Sequence, residues 1–548
     1  MHASLVRLVA RTMSSSAHTG SRSYAAAIDA LNGLQSNAQV IDAIRKSGGK
    51  GGDVQLREQV EYMRRIGYEP ADLNRMNVLH ITGTKGKGST SAFVSSILTT
   101  LAPKAKVGLY TSPHMVAVRE RIRINGEPIA EDVFARYFWE VWDRLEQADK
   151  PAADEATPEK PAYFRYLTIM AMHVFLSERV DATILEVGVG GTYDSTNIVP
   201  EPITTGVTAL GIDHIWVLGK TLPEIAAQKG GIYKPRIPAL AIQQPEGLDV
   251  LESRAKELGA SSFTVIPEHP QLKDIKLGLA GSFQRSNASL AIALVQSFLS
   301  SPRCPAALRS LTPPSSPPSS TTSSPLPSLP KSLIAPNPLP SSLVTGLQTA
   351  RWPGRCQTEP DPLLGGEKVR WFLDGAHTVE SLKCCGEWFR EDALERTYGT
   401  EEQPTRFLIF NCTSGRSGFE LLSSLLSALS PSSAGEKLQQ PFDHVVFCTN
   451  TTFASGDSKG DLTSNAVDAS DLAALQTQHD LASAFSSLTS SPSSSLKQAQ
   501  IHVLASIQEA VELVRREGQK GEGKSVEALV TGSLHLVGGV MAVAELPL

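Results

Sequence analysis

Residues 78–98, VLHITGTKGKGSTSAFVSSIL, constrain the chain more than any other stretch. Val78, Leu79 and Ile81 form a short apolar run suited to a buried parallel strand. The run breaks at Gly83-Thr84-Lys85-Gly86-Lys87-Gly88-Ser89-Thr90, after which Ala92, Phe93, Ser96 and Ile97 recur at helical spacing. A strand, a glycine-rich turn and a helix in that order make an anion site. Glycines let the backbone approach phosphate oxygens, and the helix N-terminus offers unpaired N–H groups and a favourable dipole. Lys87 supplies a point charge for the β- and γ-phosphates, and Ser89 or Thr90 a hydroxyl for phosphate or Mg²⁺. The spacing departs from G-x-x-x-x-G-K-[ST], which needs glycine at Ile81 and Ser or Thr at Gly88, so a generic GTPase or kinase is disfavoured. A ligand-free turn has no need of two lysines among its glycines.

A length of 548 residues implies two domains with insertions. The composition is that of a globular protein, 41% hydrophobic and 20% charged, and the net charge of -5 argues against sequence-independent nucleic-acid binding. No window is long and apolar enough for a membrane helix. The six cysteines show no C-x-x-C spacing and read as free thiols. Residues 1–23 carry Arg7, Arg11 and Arg22, several serines and no acid, the composition of a mitochondrial transit segment or of a disordered tail. Met13 offers a second start, so both mitochondrial (inner membrane-associated or matrix) and cytoplasmic forms are expected.

Strand and helix patterns alternate onwards, predicting a doubly wound parallel sheet. Residues 24–67 read as helix around a glycine-rich break, 106–110 as strand, and 134–145 and 163–176 as helices. The alternation in VAVRERIRINGEPI points to a strand with Arg119, Arg121 and Arg123 on one side, facing either an anionic substrate or solvent. The strand 182–187 delivers Glu186 into Gly188-Val189-Gly190-Gly191, at the carboxyl edge where open α/β sheets bind ligands. A carboxylate buried there calls for a cation, which favours Mg²⁺ over a structural role. A strand at 205–210 ends at Gly211-Ile212-Asp213-His214, and Lys229 follows a helix. Residues 300–345 are a Ser/Pro-rich insertion that cannot bury enough apolar surface to fold. Residues 346–548, with strands at 369–373, 407–411, 444–448 and 528–531, form a second, smaller Rossmann-like α/β domain interrupted by a Ser-rich stretch at 455–496. The first domain, 24–299, is the P-loop-type ATP-binding one, and the family resemblance given next implies a cleft between the two. The turn 532–536 reads as packing, with anion capture as the alternative.

GTKGKGST, YTSPHMVAVRERIRINGEPI, LEVGVGGTYDSTNIV, GIDHIWVLGKTLPEIAAQKGGIYK, RWPGRCQ and DGAHT resemble, in this order, the motifs of folylpolyglutamate synthase, a family of the Mur-ligase-like amide ligases. The match is dense over about 24–299, resumes at 351–387 and is diffuse afterwards. The resemblance implies that ATP phosphorylates the γ-carboxylate of a tetrahydrofolate (poly)glutamate and that L-glutamate then attacks the acyl phosphate. It implies a triphosphate site of Gly83, Thr84, Gly86, Lys87, Gly88, Ser89 and Thr90, joined from the junction and second domain by Asn287, Arg355 on the phosphates, Asp374 on the ribose hydroxyls, and His377. It places Ser112, Glu186 and His214 around Mg²⁺, and Lys229, where the family often carries a carbamylated lysine, at a second metal. Lys87, Glu186, His214 and Lys229 are the implied catalytic set. Tyr163, Phe164, Arg165, Tyr166, Tyr193, Asp194 and Ser195 are implied to line the folate site. A monovalent cation such as K⁺ is compatible with the family, and a monomer is expected. For Asp374 and His377 the residues alone also allow a strand-to-helix cap. The rivals are dihydrofolate synthase, a peptidoglycan-precursor ligase and an inactive nucleotide-binding scaffold.

Overall fold

A computed structural model describes residues 22–35, 52–148, 158–309, 338–397, 403–412, 417–429, 441–455, 475–489, 498–520 and 524–547. Residues 1–21, the centres of both Ser-rich stretches and the glycine-rich break near residue 48 lie outside these. The described residues form two sheets. The first comprises β1 (Val78–Thr82), β2 (Val107–Tyr110), β3 (Ile122–Ile124), β4 (Glu127–Pro128), β5 (Ala182–Glu186), β6 (Thr204–Val207), β7 (Pro238–Ile242) and β8 (Ser262–Ile266), ordered β4-β3-β2-β5-β1-β6-β7-β8. All neighbours from β2 to β8 run parallel, and the β3–β4 hairpin closes one edge antiparallel. The second comprises β9 (Gln357–Pro360), β10 (Val369–Leu373), β11 (Thr405–Phe410), β12 (His444–Cys448), β13 (Gln500–Leu504) and β14 (Val526–Thr531), ordered β13-β12-β11-β14-β10-β9, antiparallel only at β9.

The period of two that makes β1 a strand also distributes its side chains. Leu79 and Ile81 enter the core under helices Lys87–Leu101 and Gln284–Leu299, while Val78 enters the core on the opposite face. Ile81 pairs with Glu186 and Thr82 with Val207, so the carboxyl ends of β5, β1 and β6 lie side by side. The strand order reverses about β1, which puts the ligand crevice of an open α/β sheet there. In the second sheet Leu373 pairs with Val530, bringing the turns after β10 and β14 together.

Three expectations are corrected. The Ser/Pro-rich insertion does not separate the domains at 300 and 345. Cys304, Leu308, Leu339, Leu343, Leu347 and Ala350 are buried in the first domain's core, and helix Ser341–Thr349 packs on helix Lys87–Leu101, with Ser96 Oγ donating to the Gly346 carbonyl at 2.7 Å. The four-residue spacing of Leu339, Leu343 and Leu347 carried that signal beneath the serines and prolines. Arg119, Arg121 and Arg123 do not share a strand face: Val118–Arg121 is a 3₁₀ turn, and Arg121 and Arg123 are buried. The turn expected over 532–536 is confined to Gly532 and Ser533, because Leu534 already opens helix Leu534–Ala544, which Ser533 caps by accepting the Leu536 N–H.

Leu347 is fully buried, so Leu347→Ala should lower stability by about 2–5 kcal/mol in equilibrium urea unfolding. A loss below about 1 kcal/mol would place its helix outside the first core.

Candidate active site

The loop after β1 is built around two positions that need glycine. Gly83 has φ 150° and a Cβ there would lie 1.8 Å from Thr208 Oγ1. Gly86 has φ 88°, and its Cβ would meet Asn287 Oδ1 at 2.2 Å. Thr208 Oγ1 donates to the Lys85 carbonyl at 2.6 Å, and the Thr84 and Lys85 N–H groups both reach the Ala209 carbonyl. Gly86 caps helix Lys87–Leu101, whose first intrahelical bond runs from Thr90 N–H to the Gly86 carbonyl at 2.8 Å. The N–H groups ahead of Thr90 therefore face the loop.

Lys87 Nζ donates to the Gly83 carbonyl at 3.1 Å, and Lys229 Nζ donates to the same oxygen at 2.8 Å. Neither has an ion-pair partner among the described residues, whereas Lys85 pairs with Asp213 at 3.7 Å. Burial pushes Lys229 down to about 7, with Lys87 adding to the shift and Asp213 and Asp194 opposing it. Beside them, Glu186 at the end of β5 is buried and its Oε2 has no hydrogen-bond partner among the described residues. Desolvation raises its carboxyl to about 7, against the pull of Lys87, Arg355, a hydrogen bond from the Ser112 backbone and Arg121. Keeping it ionised there costs on the order of 3 kcal/mol relative to water. A hard divalent cation would remove that cost, so the donor set fits Mg²⁺.

His214 sits in the left-handed region (φ 50°) at the start of the turn Ile215–Leu218 and is open to solvent. The protein around it holds its imidazole below 6.5, with Lys87, Lys229 and Lys85 acting in the same direction against Asp213. A small cleft opens between the domains, lined by Gly88, Ser112, Glu186 and Trp352, which packs on the first core, on one side and by Arg355 and Leu534 on the other. Arg355 Nη1 donates to the Gly354 carbonyl at 3.1 Å and its charge reaches Glu186 and Lys85. The charges of Asp213 and His377 interact across the cleft.

The remaining predicted residues separate into two groups. Asn287 does meet the loop. It packs its Oδ1 on Gly86 and donates from Nδ2 to Gln284 Oε1 at 2.9 Å, while Gln284 Nε2 donates to Ser89 Oγ at 3.2 Å. Gln284 was not anticipated, although it sits one helical turn from Asn287 on the same face. Thr90 is fully buried in its helix, which leaves Ser89 as the hydroxyl nearer the loop mouth. Asp374 is buried, and both oxygens are engaged by the Cys356 and Ala376 N–H groups at 2.8 and 2.9 Å. In this geometry it fixes the Arg355 loop onto the turn after β10, a role different from the expected ribose contact. His377 Nδ1 lies 2.7 Å from the Gly375 carbonyl.

Among the expected folate residues, Tyr166 is corrected: it is fully buried and donates its hydroxyl to the Phe138 carbonyl at 2.8 Å, so it belongs to the core. Arg165 is held by Glu58 at 2.7 Å and by the Gln55 carbonyl. Asp194 is buried and spent on its own loop, accepting from the Gly188, Val189 and Thr196 N–H groups. Ser195 is buried in a 3₁₀ turn. Tyr163 lies under the Arg121 guanidinium, Phe164 packs on Gly188, and Tyr193 is exposed. Glu120 was also missed. Buried, it accepts the N–H groups of Met115, Val116 and Ala117 and shapes the loop that carries Ser112.

The folylpolyglutamate synthase of Neurospora crassa is 40% identical over 544 residues, 98% of this chain and 93% of the relative. The chain belongs to the folylpolyglutamate synthase family. Residues 363–543 match the family described as dihydrofolate synthetase, C-terminal domain. Two solved structures share the fold. A Mycobacterium tuberculosis folylpolyglutamate synthase complexed with ADP superposes with a TM-score of 0.60 at 20% identity, over 89% of this chain and 94% of that one. A folylpolyglutamate synthase complexed with AMPPCP and folate gives 0.59 at 20% identity, over 96% of this chain and all of the other. The two α/β domains facing a cleft thus share the fold of these solved synthases.

Gly86→Ala combines left-handed strain of about 1–2 kcal/mol with a collision against Asn287. We expect it to weaken ADP binding at least about tenfold by calorimetry, and Asn287→Ala in the same chain to recover part of the loss. Unchanged affinity in Gly86→Ala would show that this loop does not hold phosphate.

Proposed function

We propose that the cleft carries out ATP-dependent addition of L-glutamate, through γ-carboxyl amide links, to tetrahydrofolate and its polyglutamates. The observation that carries the reading is the convergence of Lys87 and Lys229 on one carbonyl with no carboxylate partner among the described residues, in a chain 40% identical to a folylpolyglutamate synthase. Relatives of the same fold hold ADP, or AMPPCP with folate.

A carboxylate is a poor electrophile. In the first step a γ-carboxylate oxygen of the acceptor bonds to the γ-phosphorus of ATP, and the bond to ADP breaks. In the second the unprotonated amine of L-glutamate bonds to the acyl carbon, its proton is lost, and phosphate leaves with the bridging oxygen. Lys87 and the first N–H groups of helix Lys87–Leu101 offset the phosphoryl charge. Arg355, from the far side of the cleft, does the same, and closure of the cleft excludes water from the acyl phosphate. Glu186, with Ser112 beside it, would hold Mg²⁺, which when bound neutralises triphosphate charge, and His214, on the lysine side of the site, is the further ligand the resemblance implies. Lys229, near 7, has an appreciable neutral fraction. The charged form serves the phosphate, whereas the neutral form is the one able to add CO₂, and the anionic carbamate so formed would instead provide an oxygen ligand for a second cation.

The direct experiment is a ligation assay with labelled L-glutamate, ATP and Mg²⁺, offering tetrahydrofolate monoglutamate in one arm and dihydropteroate in the other. Repeated addition to tetrahydrofolate alone supports the reading. Addition to dihydropteroate alone would assign the chain to dihydrofolate synthesis, the name borne by the match to residues 363–543.

The Glu186 proton also makes a pH prediction. With no cation beside it the carboxyl sits at about 7, above its usual 4.5, so the cation competes with a proton below that value. Apparent Mg²⁺ affinity should be flat above pH about 8 and fall by up to about tenfold per pH unit below about 7, and Glu186→Gln should remove the Mg²⁺ response. A Mg²⁺ response in Glu186→Gln equal to the wild type would place the cation elsewhere.

A further inference from the structure

His80 lies at the centre of β1, fully buried, and takes no part in the chemistry described above. Its Nε2 is 2.8 Å from Thr196 Oγ1, and Thr196 Oγ1 is 2.6 Å from Asp194 Oδ1. Four donors converge on Asp194: the Thr196 hydroxyl and N–H at Oδ1, and the Gly188 and Val189 N–H groups, each at 3.1 Å, at Oδ2. A protonated carboxyl would set its own O–H against one of them, so Asp194 is the acceptor throughout. The Thr196 proton therefore points to Asp194, and the Thr196 oxygen must receive a proton from His80 Nε2.

That fixes the tautomer. His80 is neutral with its hydrogen on Nε2, and its buried Nδ1 has no partner among the described residues. Burial, with Lys234 adding to it, holds the ring down to about 3, so it stays neutral through the physiological range. A second tie runs alongside, since Thr82 Oγ1 donates to the Gly190 carbonyl at 2.6 Å. Residues 187–194 are thus fastened to β1 at both ends of the glycine turn. This turn continues directly from Glu186, packs Gly188 against Phe164, and presents the exposed Tyr193.

We propose that His80 is a positioning residue for the acceptor side of the site: through Thr196 and Asp194 it fixes the 187–194 loop, whose exposed Tyr193 the family resemblance sets against the folate. The inference deepens the folate reading and rests on it. Glycines alone would leave this loop many conformations. Thr192 is anchored independently, its N–H and hydroxyl donating to the Gln228 carbonyl at 2.8 and 3.0 Å, and the chain of donors from His80 sets the rest of the loop, since only a donor at the Nε2 position reaches Thr196.

The test compares His80→Gln, which keeps a nitrogen donor near the Nε2 position, with His80→Leu and Thr196→Val, which remove a donor at similar volume. In the ligand-free protein, hydrogen exchange at residues 187–194 should quicken at least about tenfold in His80→Leu and Thr196→Val, but less than about threefold in His80→Gln, with helix Lys87–Leu101 unchanged. In turnover, KM for tetrahydrofolate should rise at least about tenfold in the first two and recover in His80→Gln, while KM for ATP stays within about twofold. Wild-type exchange at 187–194 in Thr196→Val, or equal losses for folate and ATP, would overturn the proposal. Thr196→Val decides the matter if His80→Leu does not fold. A wild-type enzyme that ignores folate would sink the functional reading, whereas the exchange comparison would still decide whether His80 holds the loop.

Discussion

Lys87 and Lys229 reach one carbonyl oxygen, that of Gly83, from opposite directions along the chain, and neither forms an ion pair with a carboxylate among the described residues. Two ammonium groups held on one acceptor repel each other. The fold relieves this in part by burying Lys229 until its amine titrates near 7. An anion with several oxygens relieves it fully. The loop, the helix N-terminus and the lysine pair are therefore one arrangement, and its cost in the free protein is recovered when phosphate binds.

Glu186 is the counterpart of that arrangement. The register of β5 on β1 places its carboxylate within reach of the Lys87 charge, yet leaves Oε2 without a donor among the described residues. The protein thus holds a cation-rich surface next to a carboxylate that needs a cation. Bound triphosphate and divalent metal together satisfy both. Arg355 comes from the second domain, held by Asp374 through the Cys356 and Ala376 amides, so the site is complete only with the two sheets facing each other.

Much of this was legible in the sequence because the decisive residues are local. Strand, glycine turn and helix at 78–98 follow from periodicity and φ requirements, and the strands Val369–Leu373 and His444–Cys448 fall where their apolar runs put them. What was not legible depends on partners distant in the chain. Asp194 and Tyr166 entered the folate set through the family resemblance alone, but the fold spends one on backbone amides and the other on a core carbonyl. Gln284, Thr208 and Glu120 act on the site through contacts that no short spacing reveals. Helix Ser341–Thr349 was hidden by its serine- and proline-rich surroundings, although its leucines carried the helical period.

The central claim is that Lys87 and Lys229 form one anion site whose missing partner is the triphosphate. Equilibrium AMPPCP binding in the presence of Mg²⁺, compared among the wild type, Lys87→Met, Lys229→Met and the double variant, tests it most directly. The account predicts losses of at least about tenfold in each single variant and a non-additive double, because both amines serve the same phosphate oxygens. Affinity unchanged in both single variants would contradict it.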